Sequence, residues 1–252
     1  MGVGEVLGEA VGLYTKFFTR FFVIAIIVFA IVNLVNAVVG TLFGHGVGIA
    51  LLLALISTKV SIVGTFWLQG TLVYAVEDVR DGRVDSSIGE LFERVRPYLW
   101  TLVGAGLLAG LGIAVGLLLL IVPGLILLTF WCLIVPVIVL EGKHVGESFT
   151  RSRELVRGHG WTVFGIVIIT AIATAIAEGV IQSLFSFLGS FLRYWIGGAI
   201  ASAIVGPFFA VALTLTYFKL RDLERGAAPA AVPPPIPPPD VDAPASPDAT
   251  EP

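Results

Sequence analysis

The strongest constraint on this chain is a stretch of 43 residues without a charged side chain, from Tyr98 to Leu140. As a single α-helix this stretch would be about 65 Å long, whereas the hydrocarbon core of a bilayer is about 30 Å thick. A Pro123-Gly124 pair, which is typical of turns, lies inside it. We therefore predict two membrane spans, over residues 98–122 and 125–140, joined by a tight turn at this pair.

Four further runs have the length and apolarity of membrane-spanning helices. They cover residues 21–43, 47–76, 161–181 and 195–218, and Lys59 and Glu178 are their only charged side chains. The predicted fold class is therefore all-α, a polytopic membrane protein with six transmembrane helices. Only 13% of the residues are charged, against about a quarter in soluble domains, so the composition excludes a soluble enzyme.

The distribution of basic residues predicts how the six spans are oriented. Thirteen of the fifteen Lys and Arg residues lie before the first span, between the second and third, between the fourth and fifth, or after the sixth. Basic residues in short loops stay on the cytoplasmic side of the membrane. We therefore predict a multi-pass protein of a bacterial plasma (inner) membrane, with the N- and C-termini in the cytoplasm.

Three segments on the predicted cytoplasmic side have the pattern of amphipathic interfacial helices. Residues 1–20 carry apolar side chains at helical spacing, and Ser87 with Glu90 fits a capping box. A third helix begins near Gly146 and stops at Gly158. The triplets Val3-Gly4-Glu5, Ile88-Gly89-Glu90 and Val145-Gly146-Glu147 open these segments. This pattern suggests three units, each made of one interfacial helix and two spans.

The chain divides by composition into three parts. Residues 1–20 form the first interfacial helix, residues 21–225 form the six-span domain, and residues 226–252 form a tail. From position 227 onward the tail holds ten of the fourteen prolines and four acidic residues. Because it has too few apolar side chains to bury a core, we predict a disordered Pro/Ala-rich acidic spacer. A PxxP pattern at residues 234–237 makes a protein-docking motif the alternative.

Lys59 and Glu178 are the candidate ion pair within the spans. A lysine inside a span costs about 2.5 to 3.5 kcal/mol on insertion, which favours a partner of opposite charge. Both residues lie 17 positions from the cytoplasmic ends of their spans, or about 26 Å along a helix. We therefore predict an ion pair that links the second and fifth spans. Two alternatives stay open: Lys59 extends to the outer interface, or Glu178 pairs with Arg193.

Several uncharged residues in the spans also suggest helix contacts. Asn33, Asn36 and Gln69 could line a polar path together with the candidate ion pair, or could form hydrogen bonds between helices. The third predicted span contains five closely spaced glycines, which predict close helix packing: Gly104, Gly106, Gly110, Gly112 and Gly116. No phosphate-binding GK[ST] sequence follows these glycines.

The third interfacial segment carries candidate lipid-facing basic residues. They are Lys143, Arg151, Arg153 and Arg157, and they alternate with the carboxylates Glu141, Glu147 and Glu154. This mixture predicts a helix that is held by salt bridges, including a Glu147–Arg151 pair one turn apart, and that faces anionic lipid headgroups.

No catalytic or metal-binding group of residues emerges from the predicted topology. His45 would lie outside, His144 and His159 inside, and Cys132 within the bundle, so they cannot share a metal site. We expect no metal and no cofactor. The net charge of −3 gives no general affinity for nucleic acid. The expected partners are membrane lipids, and proteins that contact the cytoplasmic helices or the tail.

One region resembles the signature of a known bacterial family. The motif residues are Pro123-Gly124 through Pro136, Glu141-Gly142, Arg151-Ser152, Glu154-Leu155, Arg157-Gly158 and Trp161. They resemble the membrane domain that is sometimes fused to glycerophosphodiester phosphodiesterases, together with its stand-alone integral membrane relatives. The resemblance implies a six-span helical bundle with cytoplasmic termini. It does not imply the phosphodiesterase reaction, which belongs to a separate soluble domain, and no functional residues are carried over from it.

These observations favour a non-enzymatic membrane module or scaffold that works near lipid or envelope metabolism. The alternative is a small transporter for a lipid or amphiphile, with Lys59, Glu178, Asn33, Asn36 and Gln69 along its path. An intramembrane enzyme ranks last, because no nucleophile has a base at a matching depth.

Overall fold

The computed structural model describes residues 1–42, 47–80 and 82–227, and these residues fold into helices joined by short connections. The α-helices are α1 Val3–Lys16, α2 Phe18–Leu42, α3 Val47–Val79, α4 Ile88–Val95, α5 Leu99–Leu119, α6 Ile121–Trp131, α7 Ile134–Glu141, α8 Val145–Val156, α9 Gly160–Leu184, α10 Ser190–Leu192 and α11 Gly198–Ala227. A 3₁₀ turn at Arg96–Tyr98 leads into α5, and a π-helical turn at Arg193–Gly197 precedes α11.

Six stretches of the described chain are long and apolar enough to cross a membrane. They are Phe18–Gly40, Leu51–Val79, Ile88–Leu119, Ile121–Glu141, Gly160–Leu184 and Trp195–Gly226. The main helices of these stretches are α2, α3, α5, the α6–α7 pair, α9 and α11, and the third stretch also includes α4. The all-α, six-span prediction is confirmed. The predicted disordered tail beyond residue 227, and His45, lie outside the described residues.

The turn between the third and fourth spans differs in position from the prediction. It lies at Leu120, whose backbone is extended, and Pro123 falls in the first turn of α6. Proline is compatible with the first turn of a helix because the N–H that it lacks has no partner within the helix there. The Cα atom of Gly124 lies 3.0 Å from the position that a Cβ atom on Gly116 would occupy. Glycine on both sides of the turn therefore allows two antiparallel spans to meet closely.

The fourth span is interrupted between α6 and α7. Pro136 lies in the first turn of α7, where a proline disfavours continuous α-helix through the preceding residues. Ser152 of α8 donates a hydrogen bond to the carbonyl oxygen of Phe130 at 2.6 Å, next to the interruption. Gly142, with a positive φ of 65°, then ends α7. The interruption thus gives α8 a polar contact inside the bundle.

The helices pack as three units with one interfacial helix and two spans each. The second spans of the units, α3, α6–α7 and α11, contact one another in the centre of the bundle. Each first span packs between its own second span and that of the preceding unit. Thus α2 contacts α3 and α11, α5 contacts α6 and α3, and α9 contacts α11 and α6. The packing repeats cyclically, as the predicted three-unit organisation implies.

The main hydrophobic core lies among the three inner spans. Leu72 and Val76 of α3, Val137 of α7, and Val211 and Leu215 of α11 are all buried. The side chains that point outward from the bundle are large and apolar; Leu118 is 88% exposed and Leu52 is 64% exposed. An apolar outer surface of this kind is suited to hydrocarbon, which agrees with six spans in a bilayer.

Candidate functional site

The three helices that precede the span pairs begin in the same way. Residues of the same type occupy their first three positions, N1 to N3: Val3-Gly4-Glu5 in α1, Ile88-Gly89-Glu90 in α4 and Val145-Gly146-Glu147 in α8. In each helix the N3 glutamate accepts a hydrogen bond from the backbone N–H of the residue before the helix, at 3.3 Å, 2.7 Å and 3.3 Å respectively. The glutamates therefore stabilise helix starts, a role that the sequence predicted only at Ser87 and Glu90.

The buried faces of these helices also share one register. Position N4 is completely buried in all three helices, and so is position N8; the residues are Val6 and Ala10, Leu91 and Val95, and Ser148 and Ser152. Positions N1 and N5 are apolar and half-buried in each helix. Equal burial at equal positions extends the repeat well beyond the three-residue motif by which the sequence suggested it.

The seventh position of each helix forms an ion pair with the second span of the preceding unit. Arg94 of α4 pairs with Glu77 of α3 at 3.5 Å, and Arg151 of α8 pairs with Glu141 of α7 at 3.0 Å. In α1 the charges are reversed, because Glu9 pairs with Lys219 of α11 at 2.9 Å. This pair connects the first unit to the third. We call α1, α4 and α8 together the interfacial layer. Each of its helices is thus attached to a neighbouring unit by an ion pair at one equivalent position.

Arg151 is the most connected residue of the interfacial layer. Its guanidinium group donates to both carboxylate oxygens of Glu224, at 2.7 and 2.6 Å, and to Glu141. Glu154 lies 3.8 Å away. The hydrogen bonds with Glu224, followed by those with Glu141, raise the pKa of Arg151 above its usual value. These carboxylates therefore favour the charged form of the guanidinium group.

Arg151 is not the lipid-facing residue that the sequence predicted, because its guanidinium group is occupied by carboxylates of α7 and α11. The predicted Glu147–Arg151 pair is replaced by the helix-capping role of Glu147. Arg153 and Arg157 are exposed, and Lys143 is half-buried. Contact of these three residues with anionic lipid stays a prediction.

A further ion pair, which the sequence did not predict, joins Arg20 of α2 to Asp78 near the end of α3. Arg20 lies 2.7 Å from Asp78 and donates to the carbonyl oxygen of Ser86, also at 2.7 Å. The side chains of Arg20 and Asp78 are nearly inaccessible, with exposed fractions of 12% and 4%. The topology was predicted from the basic residues alone. The acidic residues at the ends of the spans would have indicated where the Arg20–Asp78 pair forms.

The predicted ion pair between Lys59 and Glu178 is not formed. Glu178 of α9 accepts a hydrogen bond from Ser202 of α11 at 2.8 Å, so its partner is a hydroxyl group on the adjoining helix. Lys59 of α3 is exposed on the outside of the bundle, and within the described part of the chain it has no ion-pair partner. Lys59 and Glu178 were predicted at the same depth, but their helices are not neighbours. Helix α9 packs mainly on α11 and α1, whereas α3 lies across the bundle.

The polar residues of the predicted path serve separate local contacts. Asn33 donates to the carbonyl oxygen of Phe29 in its own helix at 2.9 Å. Asn36 of α2 contacts Ser57 and Ser61 of α3, so it forms the interhelical hydrogen bonds that were one of its two predicted roles. Gln69 lies elsewhere, in the wall of a central cavity. The five predicted residues therefore do not line one path.

The cavity that contains Gln69 has a volume of about 460 Å³ and lies between the inner spans and α5. Phe66, Trp131 and Phe209 give it aromatic walls. On the side of the interfacial layer, the Tyr74 hydroxyl donates to the carbonyl oxygen of Val139 at 3.0 Å and Tyr217 donates to Glu141 at 2.9 Å. These two hydrogen bonds join the inner spans between the cavity and the layer.

The described residues contain no group of three or more His, Cys, Asp or Glu side chains that could hold a metal ion. Cys132 is half-buried in the bundle, and its thiol donates to the carbonyl oxygen of Thr129 at 3.1 Å. His144 stands directly before α8, and His159 directly before α9. The two histidines therefore mark helix starts.

A protein-family model described as Domain of unknown function (DUF7847) matches residues 86–220, which is more than half of the chain. The chain belongs to this family. The DUF7847 region begins just before α4 and ends within α11, at residue 220. It therefore contains the second unit and most of the third, including Arg94, Arg151 and the central cavity wall from α5 to α7. Neither the curated proteins nor the solved structures include a match to this DUF7847 chain.

Proposed function

We propose that this protein is a non-enzymatic membrane module that serves as a scaffold near lipid or envelope metabolism. In this proposal the interfacial layer lies on the cytoplasmic surface of a bacterial plasma membrane and provides a docking surface for other proteins. The observation that carries the proposal is the equivalent attachment of α1, α4 and α8 to the inner spans, by ion pairs at one shared position. Such attachment holds three helices in fixed relative positions, as a docking surface requires.

The outward side of the interfacial layer supports this function. Glu90, Glu93, Glu147, Thr150 and Arg153 are exposed there, on helices whose opposite sides are buried in the bundle. Because exposed charges beside a rigid backbone favour specific electrostatic pairing, the layer is better suited to a folded partner than to a disordered lipid surface.

The resemblance to the membrane domain fused to glycerophosphodiester phosphodiesterases supports the association with lipid metabolism. In such fusions the membrane domain adjoins a soluble enzyme in one chain. We infer that this protein makes the equivalent association with a separate protein, and that the interfacial layer is the point of contact.

Transport of a lipid or amphiphile along the polar residues is less well supported. A transport path requires those residues to face one continuous cavity, whereas Glu178, Asn36 and Gln69 have three separate environments. Lys59 points away from the bundle.

Site-specific photo-crosslinking in intact cells tests the scaffold function. A benzophenone amino acid is placed at Glu93 of α4 or Thr150 of α8, with Leu118 on the lipid-facing side of α5 as the matched control position. We expect covalent adducts with one and the same protein from both layer positions and none from Leu118. Adducts only with lipid at all three positions would contradict the proposal.

A further inference from the structure

The central cavity is chemically distinct from the interfacial layer and lies at the depth of the hydrocarbon core. Gly110 of α5 lines it and is eleven residues from the start of the helix at Leu99, or about 17 Å along the axis. Gly110 is exposed on the outside of the bundle, and an added Cβ atom there would meet open space. The cavity therefore reaches the surface of the bundle where lipid chains surround it.

The lining of the cavity excludes a charged ligand. Among the described residues that line it, none carries a charge, and most are aliphatic or aromatic. A charged group at this depth would lack both water and a counter-charge, which is costly in hydrocarbon. The volume of about 460 Å³ lies within the range of about 300 to 1,000 Å³ that small-molecule sites occupy.

Gln69 supplies one polar group in these apolar surroundings. The other polar side chains of the lining are Thr65, Thr214 and Cys132, and the last two donate to carbonyl oxygens of their own segments, at 2.7 and 3.1 Å. Within the described chain the amide of Gln69 has no hydrogen-bond partner. A primary amide both donates and accepts, so the matching ligand group is a single carbonyl or hydroxyl.

We propose that this cavity binds a neutral lipid, an apolar chain that carries one carbonyl or hydroxyl group. The chain occupies the space between Phe66, Trp131 and Phe209, and the polar group forms a hydrogen bond with Gln69. The lipid enters from the bilayer past Gly110. The site does not depend on the scaffold function, because it shares no side chain with the outward side of the interfacial layer.

Fluorescence quenching of Trp131 by brominated lipids tests this site. Trp131 lines the cavity, and replacing Trp67, Trp100, Trp161 and Trp195 by Phe leaves it as the single tryptophan. The protein is reconstituted in vesicles of palmitoyl-oleoyl phosphatidylglycerol with increasing fractions of dibromo-octadecanol. We expect saturable quenching, with half-saturation at a mole fraction at least threefold lower than for dibromo-octadecane, which lacks the hydroxyl group.

Matched variants distinguish binding in the cavity from general contact with lipid. Ala109→Phe places a ring in the cavity, whereas Leu108→Phe adds a ring to the adjacent, 54% exposed position on the lipid-facing side. Saturable quenching is expected to disappear in the first variant and to persist in the second. Gln69→Leu is expected to remove the preference for the alcohol over the hydrocarbon. If Ala109→Phe does not fold, Gly110→Phe at the entrance replaces it, because an added side chain there has open space.

Two results would overturn the proposal. One is quenching that rises linearly with mole fraction and is the same in the wild type, Ala109→Phe and Leu108→Phe, because Trp131 would then sense only the surrounding bilayer. The other is equal quenching by the dibromostearate anion and by the alcohol, because the ligand would then not be selected for neutrality.

Discussion

Arg151 of α8 joins two other helices through its guanidinium group, which donates to Glu141 of α7 and to Glu224 of α11. The sequence places it among basic residues at the end of a span, a pattern that is typical of lipid contact. In the structure its planar guanidinium group donates hydrogen bonds to two carboxylates on different helices, and it binds both oxygens of Glu224. No local pattern around position 151 contains this information, because Glu224 is 73 residues away in the chain.

We predict that Arg151→Ala lowers the stability of the folded protein by about 2 kcal/mol, because hydrogen bonds to charged groups are lost and Glu141 keeps its largely buried carboxylate without this partner. Arg151→Lys is expected to restore only part of the loss, since lysine cannot bind a carboxylate through two parallel donors. Thermal unfolding in detergent micelles measures both. Arg153→Ala, on the exposed side of the same helix, is the control and is expected to change the unfolding temperature little.

Glycines in α5 and α6 give a second prediction at the scale of single residues. A Cβ atom on Gly124 would lie 2.6 Å from the backbone nitrogen of Leu117, which cannot move without opening the turn, so Gly124→Ala is expected to destabilise the protein by about 1 to 3 kcal/mol. At Gly104 the nearest atom would be 3.7 Å away, and Gly104→Ala is expected to stabilise by about 0.5 to 1 kcal/mol.

The rate at which a maleimide dye reacts with Cys132, the single cysteine, reports unfolding in both variants during heating. Equal unfolding temperatures for the two variants would contradict the packing of α5 against α6.

The five glycines of α5 were predicted to serve helix packing in general. The structure instead gives Gly106 and Gly112 the role of accommodating aromatic side chains, since Phe66 and Trp131 lie where their Cβ atoms would be.

At the scale of elements, the spans were largely predictable and the attachments of the interfacial helices were not. Helix length, apolarity and basic loops are local properties of the sequence, so six spans follow from them. The turn at Leu120 was displaced from the prediction because proline fits the first turn of a helix as well as a loop. The contact of α1 with α11 joins the two ends of the described chain, and only the folded arrangement reveals it.

Attachment of α1 is expected to depend on pH. The hydrogen bonds from Lys219 and from the backbone of Gly2 lower the pKa of Glu5 below its usual value of 4.5. A carboxyl group with a lowered pKa stabilises the folded state above its usual pKa, and this contribution disappears as the pH falls through the lowered value. We therefore expect α1 to detach progressively below about pH 4.5 and to remain attached at neutral pH.

A nitroxide label on a cysteine introduced at Gly12, which is exposed and has open space around it, reports the mobility of α1 by electron paramagnetic resonance. Mobility is expected to rise on acidification in the wild type. In a Glu5→Gln/Glu9→Gln variant it is expected to be raised already at pH 7, with a smaller change on acidification. Identical, pH-independent spectra for both proteins would show that the ion pairs do not hold α1.

At the scale of the whole molecule, three units in cyclic contact account for features that are separate in the sequence. The acidic residue at the start of each interfacial helix, the charge four positions later and the charges at the ends of the second spans belong to one repeated arrangement. The candidate ion pair within the membrane could not be judged from depth alone, because depth does not specify which spans are neighbours. The DUF7847 match covers the second unit and most of the third, so the first unit is assigned to the same arrangement by the structure.

We expect the interfacial layer to face the cytoplasm, and cysteine accessibility in intact cells tests this orientation most directly. Cys132→Ala removes the single native cysteine, and new cysteines are placed at Glu93 in the layer and at Phe187, which is 79% exposed in the connection after α9. We predict that a membrane-impermeant maleimide labels Phe187→Cys in intact cells and Glu93→Cys only after the cells are opened. Labelling of Glu93→Cys from outside, or of both positions from the same side, would contradict the account.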